Sequence, residues 1–375
     1  MNGPHYPAAR RVAPRLEDHF ARHATGAQGA VGGPLPDAQA IEALIDAAFW
    51  ASLQREEGYS PEISLALLPL ERAVRPLRLA VPLPLGPRAL ARLAPAVERP
   101  GIHLGVWRER GELVVWGTTQ AIPSFCFVLE VLVPGLIVVK HRTREDSAKF
   151  QNVAVFEGEQ VKILSPESVD VADHPAVLKS LIAPEPARSP DDPVDVLLRL
   201  AVSMRAHKRG GTLLVVPSGT EAWRDSIVQP IAYAVEPPFT DLAQLVREAA
   251  EGGPPRARGA LGRAVDFVAG LTAVDGATLI TDRYELLAFG VKIGHPDGRL
   301  RVEKVVLTEP IEGGVAAVIA PVELGGTRHI SAAQFAQDQQ DAVALVASQD
   351  GPFTIFAWSP RDGILHAHRV ETLLL

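Results

Sequence analysis

The stretch Ile182-Ala183-Pro184-Glu185-Pro186-Ala187-Arg188-Ser189-Pro190-Asp191-Asp192-Pro193 limits the fold of this chain more than any other. Four prolines in twelve residues remove backbone donors and fix φ, so neither a helix interior nor a central strand can run through it. It reads as a linker between two folded parts. It ends as a helix start, with Asp192 at the N-cap and Pro193 at the first helical position. Val194, Leu197, Leu198, Ala201 and Met204 follow at helical spacing, and Gly210 closes the run. The expected division is a disordered tail over 1–36, an α+β domain over 37–182, the linker over 183–193 and a second domain over 194–375. With 375 residues and 47% hydrophobic content, the chain has material for two cores.

The first part begins with Gly, Pro, Ala and Arg, a composition that predicts poor order. Asp37 then looks like an N-cap, with Ile41, Leu44, Ile45 and Ala48 as a helical stripe. Strand-like runs follow over 63–70, 77–83, 102–108, 112–116 and 153–164, with a short helix over 89–97. The apolar run from Ile122 to Val139 carries Glu130 and is broken at Pro134-Gly135, so it reads as two buried strands and not a membrane span. Lys140 to Asp146 reads as a solvated turn. His103 and His141 lack the spacing of a metal pair. The single cysteine, Cys126, rules out an internal disulfide and a Cys-based zinc cluster, and fits a reducing cytoplasm. A net charge of −7 argues against nucleic acid polymers and anionic membranes as partners. The N-terminal residues lack the pattern of a secretory signal, so the expected location is cytoplasmic.

In the second part, Leu213 to Val216 reads as a short buried strand, Thr240 starts a helix, and 261–268 is helical again. Strands are expected around Ala277, Leu286 to Ile293, 305–307 and 315–319, and a hairpin joins 342–347 to 353–358. His366 and His368 alternate on a last strand and read as surface residues. The expected class is α/β (mixed α+β), with a mixed twisted sheet flanked by helices.

Two short pieces of this part carry chemistry. In Asp275-Gly276-Ala277 a lone carboxylate meets a Gly-Ala step without bulk, where a flat ligand can lie against backbone. Gly326-Thr327-Arg328-His329 ends a Gly-rich turn and leads into a helix, so its N–H groups suit an anion, and the guanidinium forks onto phosphate oxygens. A carboxylate facing such a nest suits a nucleotide with a divalent metal.

Together these pieces resemble the diadenylate cyclase domain, the family that condenses two ATP into cyclic di-AMP. The family has an Asp-Gly-Ala motif followed at this spacing by Gly-Thr-Arg-His-Arg. Gly211 to Pro217 is similar to its opening strand, Leu286 to Val291 to its return strand, and Ser348-Gln349-Asp350-Gly351 to its Ser-Glu-Glu turn. The resemblance spans residues 193–375 and departs from the pattern at Ile330, where the second arginine usually stands. It implies catalysis by Asp275, Arg328 and His329. ATP would be bound by Gly276, Ala277, Leu286, Gly326, Thr327, Arg328 and His329. Mg²⁺ or Mn²⁺ would sit on Asp275 and on the family's later acidic position, which either Gln349 or Asp350 matches; Asp350 supplies the carboxylate. It further implies self-association into at least a dimer and a DACNV-like sensor domain ahead of the cyclase. A nucleotide receptor that has lost catalysis is the alternative implied by Ile330.

Overall fold

The computed structural model describes residues 5–26, 35–55, 58–142, 150–170, 173–175, 178, 182, 194–251, 255–295, 298–349 and 352–375. The chain forms two units, Met1–Leu164 and Ser165–Leu375, each mixed α+β with its own sheet.

In the first unit, helices α1 (Pro7–Gly26), α2 (Ala38–Ser52) and α3 (Pro87–Leu93) accompany eight strands. These are β1 (Ile63–Leu67), β2 (Leu77–Pro84), β3 (His103–Glu109), β4 (Glu112–Thr119), β5 (Val128–Val133), β6 (Leu136–Arg142), β7 (Phe150–Glu157) and β8 (Gln160–Ile163). They run in the order β2-β4-β3-β1-β5-β6-β7-β8. Only β1 and β3 pair in parallel; the remaining neighbours are antiparallel. Asp37 does cap α2, its carboxylate accepting from the Ala40 N–H at 2.7 Å. The apolar run resolves into β5 and β6, paired antiparallel with Leu129 opposite Val139 and Gly135 at φ +77 in the turn. Among the described residues no helix is long and apolar enough to cross a membrane.

Two expectations for this unit fail. Most of the expected tail is α1, which buries Val12, Leu16 and Phe20 in the same core as Ile41, Leu44 and Ile45 of α2. Just ahead of α1, Tyr6 stacks on Phe49 at 3.8 Å, and its hydroxyl donates to the Gly158 carbonyl. The apolar residues recur at helical spacing on one side, while arginines on the other side of the helix and glycines and prolines around it dominate the composition and hide them. The polar run after Lys140 does not begin as a solvated turn either. Lys140, His141 and Arg142 belong to β6, His141 is buried, and Lys140 pairs with Glu130 and lies over the Phe150 ring at 4.6 Å. The residues from 143 to 149 lie outside the described ones.

The second unit has helices α4 (Val194–Ala206), α5 (Asp241–Ala250), α6 (Pro255–Leu271) and α7 (Thr327–Asp338). Its strands are β9 (Gly211–Val216), β10 (Tyr233–Phe239), β11 (Ala277–Thr281), β12 (Leu286–Val291), β13 (Val305–Thr308), β14 (Ala317–Ile319), β15 (Val343–Ala347), β16 (Phe353–Ser359) and β17 (Ile364–Arg369). Their order is β10-β12-β11-β9-β15-β16-β17-β13-β14. β9 pairs in parallel with β11 and antiparallel with β15, and all six of its residues are buried. Its side chains alternate between two cores. Leu213 and Val215 join Leu200, Val246 and Val265 from α4, α5 and α6. Leu214 and Val216 join Ala332, Phe335 and Ala336 from α7. The sheet is thus a middle layer with helices on both faces, and each fully buried Leu or Val contributes about 1.5–3 kcal/mol.

The division between units falls earlier than the proline-rich segment. Ser165 donates its N–H to the Pro310 carbonyl at 2.9 Å, and Val169, Leu178 and Ile182 lie in the core under α4 to α6. The described residues between 165 and 182 therefore pack with the second unit, although the sequence there carries no periodic signal that assigns them. The Asp192 cap and Pro193 lie outside the described residues. Beyond them α4 buries Val196, Leu197, Leu200, Ala201 and Met204.

If α1 belongs to the core, Phe20→Ala should cost about 3–5 kcal/mol of stability. Urea unfolding followed by circular dichroism measures this, and an unchanged midpoint would return residues 7–26 to the status of a tail.

Candidate functional site

The topology of the second sheet brings the sequence motifs to one end of it. Because β9 and β11 run in parallel, with Ala277 opposite Thr212, their N-terminal ends lie side by side. β15 runs the other way, so its C-terminal Ala347 pairs with Gly211. β12 also runs the other way, pairing Val291 with Ala277 and setting Lys292 beside Asp275. The N-terminus of α7 closes the group. The result is a cleft of about 450 Å³ whose walls include Thr212, Asp275, Gly276, Ala277, Lys292, Gly326, Thr327, Arg328, His329, Ser348 and Gln349. That size is in the range of small-molecule sites.

Gly276 has φ +123, and a Cβ there would stand 2.4 Å from the carbonyl carbon of Gly290, so the backbone at the cleft floor admits no side chain. Gly325 is held to glycine by a neighbour instead: a Cβ would lie 2.4 Å from His329 Nδ1. Removing that bulk lets the imidazole fold back under the first turn of α7, where it is buried beside Phe356. Gly326 is the N-cap of α7 and has no side chain to satisfy the first amides. The Thr327 and Arg328 N–H groups have no carbonyl one turn earlier within α7, so the end is open to an anion.

The charged groups divide into one acid and two bases. The side chain of Asp275 is 93% exposed, and its Oδ2 lies 2.7 Å from Lys292 Nζ. The hydrogen bond from Lys292, then the Lys292 charge and more weakly that of Arg328, hold the Asp275 carboxyl below the usual carboxylate range. Arg328 reaches toward Gly210, whose Cβ would meet its Nη1 at 2.9 Å. It makes no ion pair among the described residues. Burial, with Arg369 and Arg328 nearby, pushes the His329 imidazole down, so it is neutral at pH 7. Its Nε2 is buried without a hydrogen-bond partner. The cleft therefore has an excess of positive charge around one carboxylate, the character of a site for a polyphosphate.

Asp275, Gly276, Ala277, Gly326, Thr327, Arg328 and His329 all meet here, as the motifs predict. Leu286 does not. It is buried in the core with Leu242 and Val246, on the opposite face of the sheet from Ala277. Register irregularities between β11 and β12 separate its position from that of Val291, which does line the cleft. Asp350 lies outside the described residues, while Gln349 is tied down, its side-chain amide donating to the Arg209 carbonyl at 2.9 Å. Ile330 is 41% exposed on α7 and is not part of the cleft wall. Sequence reasoning missed Lys292 and Thr212. The pairing of a return strand with the strand after Asp275 would have found Lys292, since it follows that strand directly.

Residues 31–120 match a family described as "Probable sensor domain DACNV". The match takes in α2, β1, β2, α3, β3 and β4 of the first unit. Among curated proteins nothing matches the chain. Among the solved structures that are similar is one described as the hypothetical membrane spanning protein from Bacillus cereus. The identity is 15%, over 46% of this chain and 61% of that one, with a TM-score of 0.26. This chain thus spans less than two-thirds of that protein, and a likeness so slight carries no argument.

Lys292→Met removes the main cause of the depressed Asp275 carboxyl, so its titration should move up toward the ordinary aspartate value near 4. A carboxyl-carbon NMR titration measures the shift; an unmoved midpoint would show that the pair does not form in solution.

Proposed function

We propose that the second unit condenses two ATP molecules into cyclic di-AMP, and that the first unit regulates it as a sensor. The observation that carries this reading is the meeting of Asp275-Gly276-Ala277 with Thr327-Arg328-His329 in one positively charged cleft. In the reaction the 3′-oxygen of each ATP attacks the α-phosphorus of the other. Each new P–O bond replaces a bond to pyrophosphate, and each attacking hydroxyl loses its proton. One chain offers one such cleft among its described residues, so two chains must meet face to face, each holding one ATP.

Gly276 and Ala277 present bare backbone to the adenosine. Arg328, Lys292 and the open amides of α7 face the phosphates and offset charge as pyrophosphate leaves. Asp275 is a weak proton acceptor because its carboxyl is held low, so it acts mainly as a fixed negative charge that orients the 3′-hydroxyl. The donor set suits a hard divalent ion that arrives with the nucleotide. Mg²⁺ and Mn²⁺ sites of this type take one or two carboxylates and complete themselves with phosphate oxygens and water. Asp275 would hold the ion, which when bound supplies positive charge to the triphosphate. Its exposed carboxylate has one oxygen on Lys292 and the other available.

One observation favours a second reading, a nucleotide receptor without catalysis. Lys292 already places a cation on the carboxylate that the reaction needs, and Ile330 stands where the family has its second arginine. Such a receptor would hold the phosphates with Arg328 and Lys292 and leave the α-phosphorus unattacked.

Purified full-length protein incubated with ATP and Mn²⁺ or Mg²⁺ should yield cyclic di-AMP, detected by mass spectrometry. Asp275→Asn should lower the yield by about two orders of magnitude or more with the circular dichroism spectrum unchanged. Nucleotide binding without product would establish the receptor, and equal product from Asp275→Asn would remove that residue from the mechanism.

A further inference from the structure

Away from the cleft, the described residues contain one cluster of three metal-ligating side chains, all buried: His174, His366 and His368. The sequence suggests surface positions for the last two, and the structure corrects this. On β17 they alternate with Leu365 and Ala367, which enter the core beneath α7. The imidazoles therefore leave the sheet on the face covered by α4 to α6, opposite to the cleft. His174 comes to them from the segment before α4. One nitrogen from each ring lies within 4.8 Å of the others, and the Nε2 atoms of His174 and His368 are 3.3 Å apart.

An oxygen stands near each of the remaining nitrogens. Asp173 Oδ1 lies 3.1 Å from His174 Nδ1, Asp362 Oδ2 lies 3.1 Å from His366 Nε2, and Thr308 Oγ1 lies 2.7 Å from His368 Nδ1. The two carboxylates stand at ion-pair distance, off the straight line of a hydrogen bond. Asp173 is held in place by hydrogen bonds from the Ser359 hydroxyl at 2.5 Å and the Arg361 N–H. A carboxylate only accepts, so it draws the proton of its histidine to the nitrogen beside it. The lone pairs are then left on His174 Nε2 and His366 Nδ1.

Two buried lone pairs and the third ring cannot satisfy one another. A proton on His368 Nε2 would serve His174 and leave His366 Nδ1, which has no hydrogen-bond partner. With Thr308 taking the proton of His368 Nδ1 instead, His174 and His368 face each other as two lone pairs. All three rings are buried, and one nitrogen of each faces the other two. A cation among them satisfies every nitrogen. Zinc bound tetrahedrally at about 2.0–2.1 Å sets its ligands roughly 3.3 Å apart, which is the separation of the two Nε2 atoms.

We propose that His174, His366 and His368 bind a divalent transition-metal ion, zinc by preference, with Asp173, Asp362 and Thr308 as positioning residues behind the ligands. Three imidazoles suit zinc among the metals of this class. The three rings fill three of the four tetrahedral positions, a water takes the fourth, and the ion ties His174 to β17. Residues 194 positions apart are joined by that tie, and binding to the folded state alone stabilises it.

The test uses tag-free, full-length protein stripped with a chelator. Titration with Co²⁺ should give the visible bands of a tetrahedral site, and Zn²⁺ should displace it at one ion per chain and raise the thermal unfolding midpoint. Asp173→Asn should weaken Zn²⁺ binding about 10–100-fold, and His366→Gln should abolish it. Absence of tetrahedral bands and of retained zinc in the wild type would overturn the proposal. So would bands that persist unchanged in Asp173→Asn and His366→Gln, since the ion would then sit elsewhere. The wild-type titration needs no variant, so a misfolded His366→Gln leaves the test intact.

Discussion

The second unit depends on the parallel pairing of β9 with β11. A parallel neighbour must be reached by a long crossover, and here the crossover contains β10, α5 and α6. Both faces of β9 then have to be covered, which explains why its six residues are all buried. The same pairing fixes Ala277 opposite Thr212, and from that contact the rest of the cleft follows. Gly276 meets the backbone of Gly290, Lys292 falls beside Asp275, and the end of β15 closes against Gly211.

The site's chemistry was legible where it is local. Asp275-Gly276-Ala277 and Gly326-Thr327-Arg328-His329 are each contiguous, so their side chains and open amides could be read before any contact was known. Lys292 was not legible in the same way. Nothing in its own neighbourhood marks it, and its role comes from the register between two strands. Leu286 failed for a related reason. β12 is apolar at every position and its register against β11 shifts, so the face a given side chain takes cannot be read from its neighbours.

The fold shows the same contrast. The mixed α+β class and the strands around Pro134-Gly135 were legible because turn residues punctuate them. α1 was hidden because its apolar stripe is built largely from small residues among arginines, and the helix contains Pro14 on its exposed side. Ahead of the proline-rich segment, Val169, Leu178 and Ile182 pack into the second core, which no periodic signal announced. The histidine cluster lay beyond any local reading, since His174 and β17 meet only in the folded chain.

The margins of the two sheets bear on how copies of this chain can meet. β2 carries Pro82 and Pro84, and β10 carries Pro237 and Pro238, so neither outermost strand offers a full row of donors. At the opposite margins β8 has four residues and β14 only three. A second molecule thus finds no ladder to extend, and pairing of copies by sheet continuation is disfavoured at all four margins. If copies meet as the proposed reaction requires, contact falls to side-chain surfaces such as the mouth of the cleft, where Asp275 is exposed. An assembly of that kind rests on charge and shape, so added salt weakens it.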